Sequence, residues 1–333
     1  MEGRPDEAPR TLLERAGAAA SGLGQAGPKH PLTRAALQWG LAFLIFGFLV
    51  AFVVRQAGNL PDFDWRFSAG WLTVSVVCVL LFYVVQGELW RMIVHSLGEE
   101  HLDGTPARAV WGKSLLARYV PTNALMIVGR VIMAERYGVA KRVCLASIVY
   151  ELGLGFGTAV MVGAYFVIQL PDLQDQPVRW AVLGLVPLVL AVLHPRVFFP
   201  LANWGLRKLG HEQLPKALPF GRVLEFCALY IGCWAIIGVG VFAFAAALQP
   251  LDVSDLPYVA AAYPVAFCVA VLTFIVPSGL GTRDAALATA MTAVMAGAVA
   301  TAIAIGFRIF QTIVEVLYVG AVLWLDRRKR ARD

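Results

Sequence analysis

Ala69-Gly70-Trp71-Leu72-Thr73-Val74-Ser75-Val76-Val77-Cys78-Val79-Leu80-Leu81-Phe82-Tyr83-Val84-Val85-Gln86 is an unbroken run without a charged side chain. At about 1.5 Å per helical residue it covers most of a hydrocarbon core roughly 30 Å thick, where a helix satisfies its own backbone. Outward from it the same texture recurs at Ala36 to Val54, Val143 to Leu170, Trp180 to about Leu201, Val223 to Leu248, Tyr258 to Val276 and Ala285 to Leu325. The last is too long for one crossing, and a turn near Ala296-Gly297-Ala298 divides it into a short helix and a longer one. The expected fold is all-α: a polytopic membrane helix bundle of about eight spans with one or two re-entrant or broken helical segments.

Composition points the same way. Hydrophobic residues fill 59% of 333 positions and charged residues 15%, with a mean hydropathy of +0.69. A soluble domain has no use for that much apolar surface. Three parts are expected: a disordered cytoplasmic tail over 1–35, a transmembrane domain over 36–325 and a basic cytoplasmic tail over 326–333. The first mixes Glu2, Asp6, Glu7 and Glu14 with arginines and an Ala/Gly-rich patch, unlike a cleaved signal peptide.

Orientation follows from basic residues in the connections. Arg196, Arg207, Lys208, Lys216 and Arg222 crowd one loop, and Arg91, Arg108, Lys113, Arg118, Lys141 and Arg142 another. Both are expected to be cytoplasmic. The loops with Asp62 and Asp64, Asp172 and Asp175, and Asp252 and Asp255 read as external, so both termini lie inside. The run Arg327-Arg328-Lys329-Arg330 and the net charge of +6 suit anionic phospholipid at the cytoplasmic surface, not nucleic acid. Cys78, Cys144, Cys227, Cys233 and Cys268 fall in or at the edge of spans without metal-like spacing, as packing residues do. No cofactor or metal is expected.

Two prolines break the apolar texture. Tyr119-Val120-Pro121-Thr122-Asn123 follows Arg118, and the uncharged stretch from there to Arg130 is too short to cross the bilayer. Pro121 disfavours helix at Val120, and Thr122 or Asn123 can cap a half-helix running toward Arg130. Two readings stand: a re-entrant element, or a surface helix whose arginines snorkel to water. The second break, Pro277-Ser278-Gly279-Leu280-Gly281-Thr282-Arg283-Asp284, has Thr282 as a candidate cap for a helix beginning at Arg283. Such a helix start aims N–H groups at an anion, and Arg283 adds a bidentate donor suited to phosphate. The plainer alternative is a cytoplasmic turn with Arg283 at the interface.

Charges also sit inside spans. Arg308 and Glu315, seven residues apart, share one helix face, and Gln311 and Thr312 extend the polar stripe. Such charges face a bundle interior or aqueous cavity and mark a pathway, or form a purely structural pair. Glu151 needs a cationic partner or water, with Arg130, Arg283 and Arg308 as candidate cations. Gly153 and Gly157 form a small-xxx-small packing spacing. Ala107 to Ser114 fits a loose phosphate-loop pattern ending in Gly112-Lys113-Ser114, but no strand precedes it. Glu99, Glu100, His101 and Asp103 beside His95 read as a solvated turn.

In their order these motifs resemble the flippase-like family that includes the transmembrane region of lysylphosphatidylglycerol synthases. The pieces are Arg118 to Pro121, Gly129-Arg130, Glu151, Pro277 to Asp284, and Arg308 with Glu315. Family members typically carry Pro-Gly in the first motif and Pro-Gly-Gly-x-Gly-x-Arg-Glu in the second; here stand Pro121-Thr122, Pro277-Ser278 and Asp284. Fused synthases add a soluble aminoacyl-transfer domain. The chain runs to Asp333 without one, so the resemblance implies translocation without lysyl transfer.

The expectation is a transporter rather than an enzyme: a translocase moving a phospholipid or a polyprenyl-phosphate-linked or other glycolipid headgroup through a polar intramembrane cavity. Arg130, Arg283 and Arg308 would contact the headgroup, helped by the break at Ser278, Gly279, Gly281 and Thr282. Glu151, Asp284 and Glu315 would neutralise the arginines when cargo is absent. A membrane-embedded enzyme acting on lipid-linked sugar or phosphate through Glu151 or Glu315, and a non-transporting scaffold, are the competing readings. Any partner biosynthetic enzyme is left unidentified.

Overall fold

The structure, a computed structural model, describes residues 66–98, 102–116, 123–170, 176–208, 213–273 and 281–331. The expected N-terminal tail and the Ala36 to Val54 span lie outside these residues. The helices are α1 (Ala69–Leu97), α2 (Gly104–Leu116), α3 (Asn123–Glu135), α4 (Lys141–Ile168), α5 (Val178–Val182), α6 (Leu185–Leu193), α7 (Pro195–Lys208), α8 (Phe220–Leu248), α9 (Leu256–Leu272), α10 (Thr282–Met291) and α11 (Gly297–Arg330). A 3-10 turn over Val253–Asp255 leads into α9. The described chain is the expected all-α membrane bundle.

Among the described residues, five helical segments are long and apolar enough to cross a membrane: α1, α4, α8, Val253–Leu272 and Gly297–Lys329. The expected span from Trp180 to Leu201 is broken: Trp180–Leu193 and Pro195–Lys208 meet at 69°. Pro195 is the cause, since proline drives the preceding residue out of the helical region, and His194 has φ −58° and ψ 133°. Counted as one bent span it makes six among the described residues. The short helix expected before Ala296 is α10, whose 10 residues reach about 15 Å and make it a broken member of the expected set.

At the centre α1 packs along α8. Ser75 Oγ donates to the Gly240 carbonyl at 2.7 Å, and a Cβ on Gly240 would lie 3.2 Å from Cys78 Cβ. Small residues there let two backbones approach closely. Gly153 and Gly157 serve α4 in the same way. A Cβ on Gly153 would meet the Phe198 ring at 2.6 Å, and one on Gly157 would meet Val189 and Leu193 at 3.0 Å. Leu188, Leu201, Leu272 and Leu317 point outward, as lipid-facing side chains do.

The basic C-terminal run begins as helix, because α11 continues to Arg330 instead of ending near Leu325. Asp326 is buried and accepts from Tyr137 Oη at 3.1 Å. Lys329 Nζ lies 2.5 Å from Asp103 Oδ2 and holds that exposed carboxyl below its usual pKa. The His95 ring meets the Leu102 backbone at 3.1 Å, so Asp103 and His95 fasten a loop; Glu99, Glu100 and His101 lie outside the described residues. Gly112, Lys113 and Ser114 sit within α2, where a phosphate-cradling loop does not form.

Candidate functional site

The site is built from short helices leaning on long ones. α3 is 13 residues long, about 20 Å, and packs against α2 and α4. Its Arg130 is 3% exposed, so this arginine does not snorkel to water. Arg130 Nη1 forms an ion pair with Glu151 Oε2, Nε donates to Ser114 Oγ at 2.9 Å, and the guanidinium lies 5.6 Å from the Trp90 ring centroid. Trp111 Nε1 donates to Glu151 Oε1 at 2.8 Å. Both carboxylate oxygens are engaged, which offsets the cost of burying the charges. Of the three candidate cations for Glu151, the fold supplies Arg130.

A second cluster lies among α9, α10 and α11. Arg283 Nη1 donates to Tyr263 Oη at 3.1 Å and Nη2 to Gln311 Oε1 at 3.2 Å. Gln311 Nε2 donates to Tyr263 Oη at 2.9 Å. Asp284 Oδ1 stands 3.8 Å from Arg283 Nε and 3.6 Å from Arg308 Nη1. Two guanidiniums thus flank one carboxylate beyond good hydrogen-bonding distance. The buried Arg283 Nε makes no hydrogen bond among the described residues. Arg283 is packed among α9, α10 and α11.

The start of α10 differs in one detail from expectation. Thr282 is the first helical residue, not the cap; Gly281 holds the cap position with φ +85°, a backbone angle that glycine adopts without a Cβ clash. Asp284 reaches back to the Gly281 N–H at 3.4 Å. Thr282 Oγ1 accepts from Thr273 Oγ1 at 3.2 Å, tying α10 to the end of α9.

The polar stripe on α11 faces inward. Gln311, Thr312 and Glu315 are buried, Glu315 completely. Tyr83 Oη donates to Glu315 Oε2 at 2.8 Å, and the Tyr83 ring lies 6.4 Å from that of Trp111. The Arg130–Glu151 pair therefore reaches the stripe through Trp111 and Tyr83.

The fold gathers Arg130 with Glu151, and Arg283 with Asp284 and Arg308, with Glu315 between the groups. Tyr119, Pro121, Thr122, Pro277, Ser278 and Gly279 lie outside the described residues, as does the Asn123 side chain. Sequence reading missed Ser114, Trp111, Tyr83 and Tyr263. The available signal was a tyrosine or tryptophan in the middle of an apolar run, whose polar tip requires a partner when buried.

The family model described as the lysylphosphatidylglycerol synthase TM region matches residues 37–318. That range takes in both clusters. No curated protein matches the chain.

Proposed function

The chain belongs to the family of the lysylphosphatidylglycerol synthase TM region, an integral membrane family, and from that premise we propose that it is a lipid translocase. A phospholipid or polyprenyl-phosphate-linked glycolipid would pass its anionic headgroup through the polar interior while its tails stay in lipid. This removes the cost of dragging a charge through hydrocarbon.

One observation carries the proposal: buried Arg283 Nε makes no hydrogen bond among the described residues and stands 3.8 Å from the Asp284 carboxylate, which also lies 3.6 Å from Arg308 Nη1. Guanidinium groups bind phosphate bidentately, and an incoming phosphate would take the place that Asp284 fills at a distance. The neutral partners Tyr263 and Gln311 hold Arg283 in position without spending a second negative charge on it. Movement would be facilitated, or driven by an existing gradient or potential. Glu151 is engaged through both oxygens by Arg130 and Trp111, which suits a positioning group better than a proton shuttle.

Purification in native lipid with mass spectrometry of the bound lipid tests this reading. A phosphate-bearing lipid should be enriched over the bulk membrane, and the enrichment should fall at least about tenfold in Arg283→Gln, equivalent to about 1.4 kcal/mol. Bound lipid of bulk composition in both proteins would contradict it.

A further inference from the structure

Two parts of the chain carry the same order of helices. α1 to α4 have 29, 13, 13 and 28 residues; α8 to α11 have 29, 17, 10 and 34. In each, two long helices enclose two shorter ones, and the sequence between the shorter ones reads Val120-Pro121-Thr122 or Val276-Pro277-Ser278.

The packing repeats as well. α1 lies on α8, α2 packs on α11, and its counterpart α9 packs on α4. α3 joins α2 to α4 as α10 joins α9 to α11. Exchanging the halves leaves this pattern unchanged.

Side chains match in register. Tyr83 stands 14 residues into α1 and Trp234 14 into α8. Each donates to the last helix of the opposite half: Tyr83 to Glu315 at 2.8 Å, Trp234 to Thr158 at 3.0 Å. Trp111 stands 7 residues into α2 and Tyr263 7 into α9. Their rings lie 6.4 Å from those of Tyr83 and Trp234 respectively. Gly87 and Gly238 both stand 18 residues into their helices. A Cβ on Gly87 would meet Arg108 at 3.1 Å, and one on Gly238 would meet Ala260 at 2.5 Å; both neighbours stand 4 residues into their own helices.

The ion pairs join corresponding helices with their signs exchanged. Arg130 of α3 meets Glu151 of α4, whereas Asp284 of α10 meets Arg308 of α11. Glu151 precedes Thr158 by 7 residues, and Arg308 precedes Glu315 by the same number. α8 runs opposite to α1: at the start of α1 the Ser68 N–H donates to the Ala247 carbonyl near the end of α8 at 2.9 Å, and Ser75 Oγ donates to the earlier Gly240 carbonyl at 2.7 Å. The acidic loop before α1 and the basic one before α8 agree with that direction.

We propose that the chain is an inverted repeat, in which α2–α3 and α9–α10 enter the membrane from opposite faces. Arg130 with Glu151 is then a second headgroup half-site, serving the cytoplasmic leaflet while Arg283, Arg308 and Asp284 serve the external one. Inverted repeats with broken helices place a cargo site where the halves meet and let access alternate between the two sides. The half-site assignment rests on the translocase reading; the inversion does not.

The test has two arms. Arg136→Cys, between α3 and α4, and Ala293→Cys, between α10 and α11, are exposed positions to be probed with a membrane-impermeant maleimide. The parent chain, with its five native cysteines kept, provides the background. Ala293→Cys should label in intact cells and Arg136→Cys only after permeabilisation; labelling of both from one side overturns the inversion whatever the lipid does.

In the second arm, photoactivatable phosphatidylglycerol is placed in one leaflet of oriented proteoliposomes and irradiated on ice at once. Lipid in the cytoplasmic leaflet should crosslink to peptides from 123–168, and lipid in the external leaflet to peptides from 282–330. The same peptides from both leaflets would overturn the two half-sites. Opposite labelling with no crosslinking from either leaflet would sink the lipid reading and the half-sites with it, while leaving the inverted repeat in place.

Discussion

The two arginine clusters are built from the same parts and held in different states. Arg130 is closed in by an ion pair, a serine and a tryptophan face. Arg283 and Arg308 stand 3.8 and 3.6 Å from the Asp284 carboxylate, and the buried Arg283 Nε makes no hydrogen bond among the described residues. The first cluster is saturated, whereas in the second Arg283 keeps an unfilled donor among the described residues. A buried, under-satisfied cation binds an anion at low cost, because no tight partner has to be displaced. On the translocase reading, the contrast makes Arg283 the open receptor and Arg130 the locked one.

The largest effect expected from breaking this contrast is on stability. Glu151→Ala leaves Arg130 buried without its charge partner and should cost about 3–5 kcal/mol. Asp284→Ala should cost about 1–2 kcal/mol, since Arg283 keeps Tyr263 and Gln311. Thermal unfolding in native lipid checks both, and equal losses would erase the distinction between locked and open. Next come the matched glycines: Gly238→Ala drives a Cβ into the Ala260 backbone and should cost about 1–3 kcal/mol. Gly87→Ala meets Arg108 Cγ at 3.1 Å and the Tyr318 hydroxyl at 3.3 Å, with the Arg108 backbone at an ordinary 3.6 Å, and should cost less than Gly238→Ala, about 1 kcal/mol.

Much of this fold was legible in the sequence, because a bilayer demands long uncharged runs. Glu151, Arg308 and Glu315 stood out, since a charge inside such a run needs a reason. The pairings were not legible: whether Glu151 meets Arg130, Arg283 or Arg308 depends on how α3 leans on α4. The bend at His194 was hidden within an apolar stretch that satisfies hydropathy with or without it, although Pro195 marked the place. The repeat was obscured for a chemical reason. Glu151 and Arg308 occupy matching places with opposite charge, so a comparison by residue type reads as a mismatch what the geometry presents as an exchanged ion pair.

The smallest expected effect lies outside the membrane. Lys329→Ala removes the ion pair that lowers the Asp103 pKa. A carboxylate depressed on folding stabilises above its unfolded pKa, and that contribution fades as the pH falls through its folded value. The variant and parent should therefore differ slightly at neutral pH and converge in acid; a difference that grows in acid would contradict this assignment. Screening of so exposed a pair keeps the effect small.

The central claim is that buried arginines carry a lipid headgroup across the membrane. Its direct test is the rate at which fluorescent phosphatidylglycerol becomes accessible to an impermeant quencher in proteoliposomes. The parent protein should accelerate that exchange over protein-free vesicles, and Arg130→Gln and Arg283→Gln should each slow it at least about tenfold, equivalent to about 1.4 kcal/mol, while remaining folded. Exchange at the protein-free rate across a panel of phosphate-bearing lipids, or parent-like exchange in both variants, would contradict it.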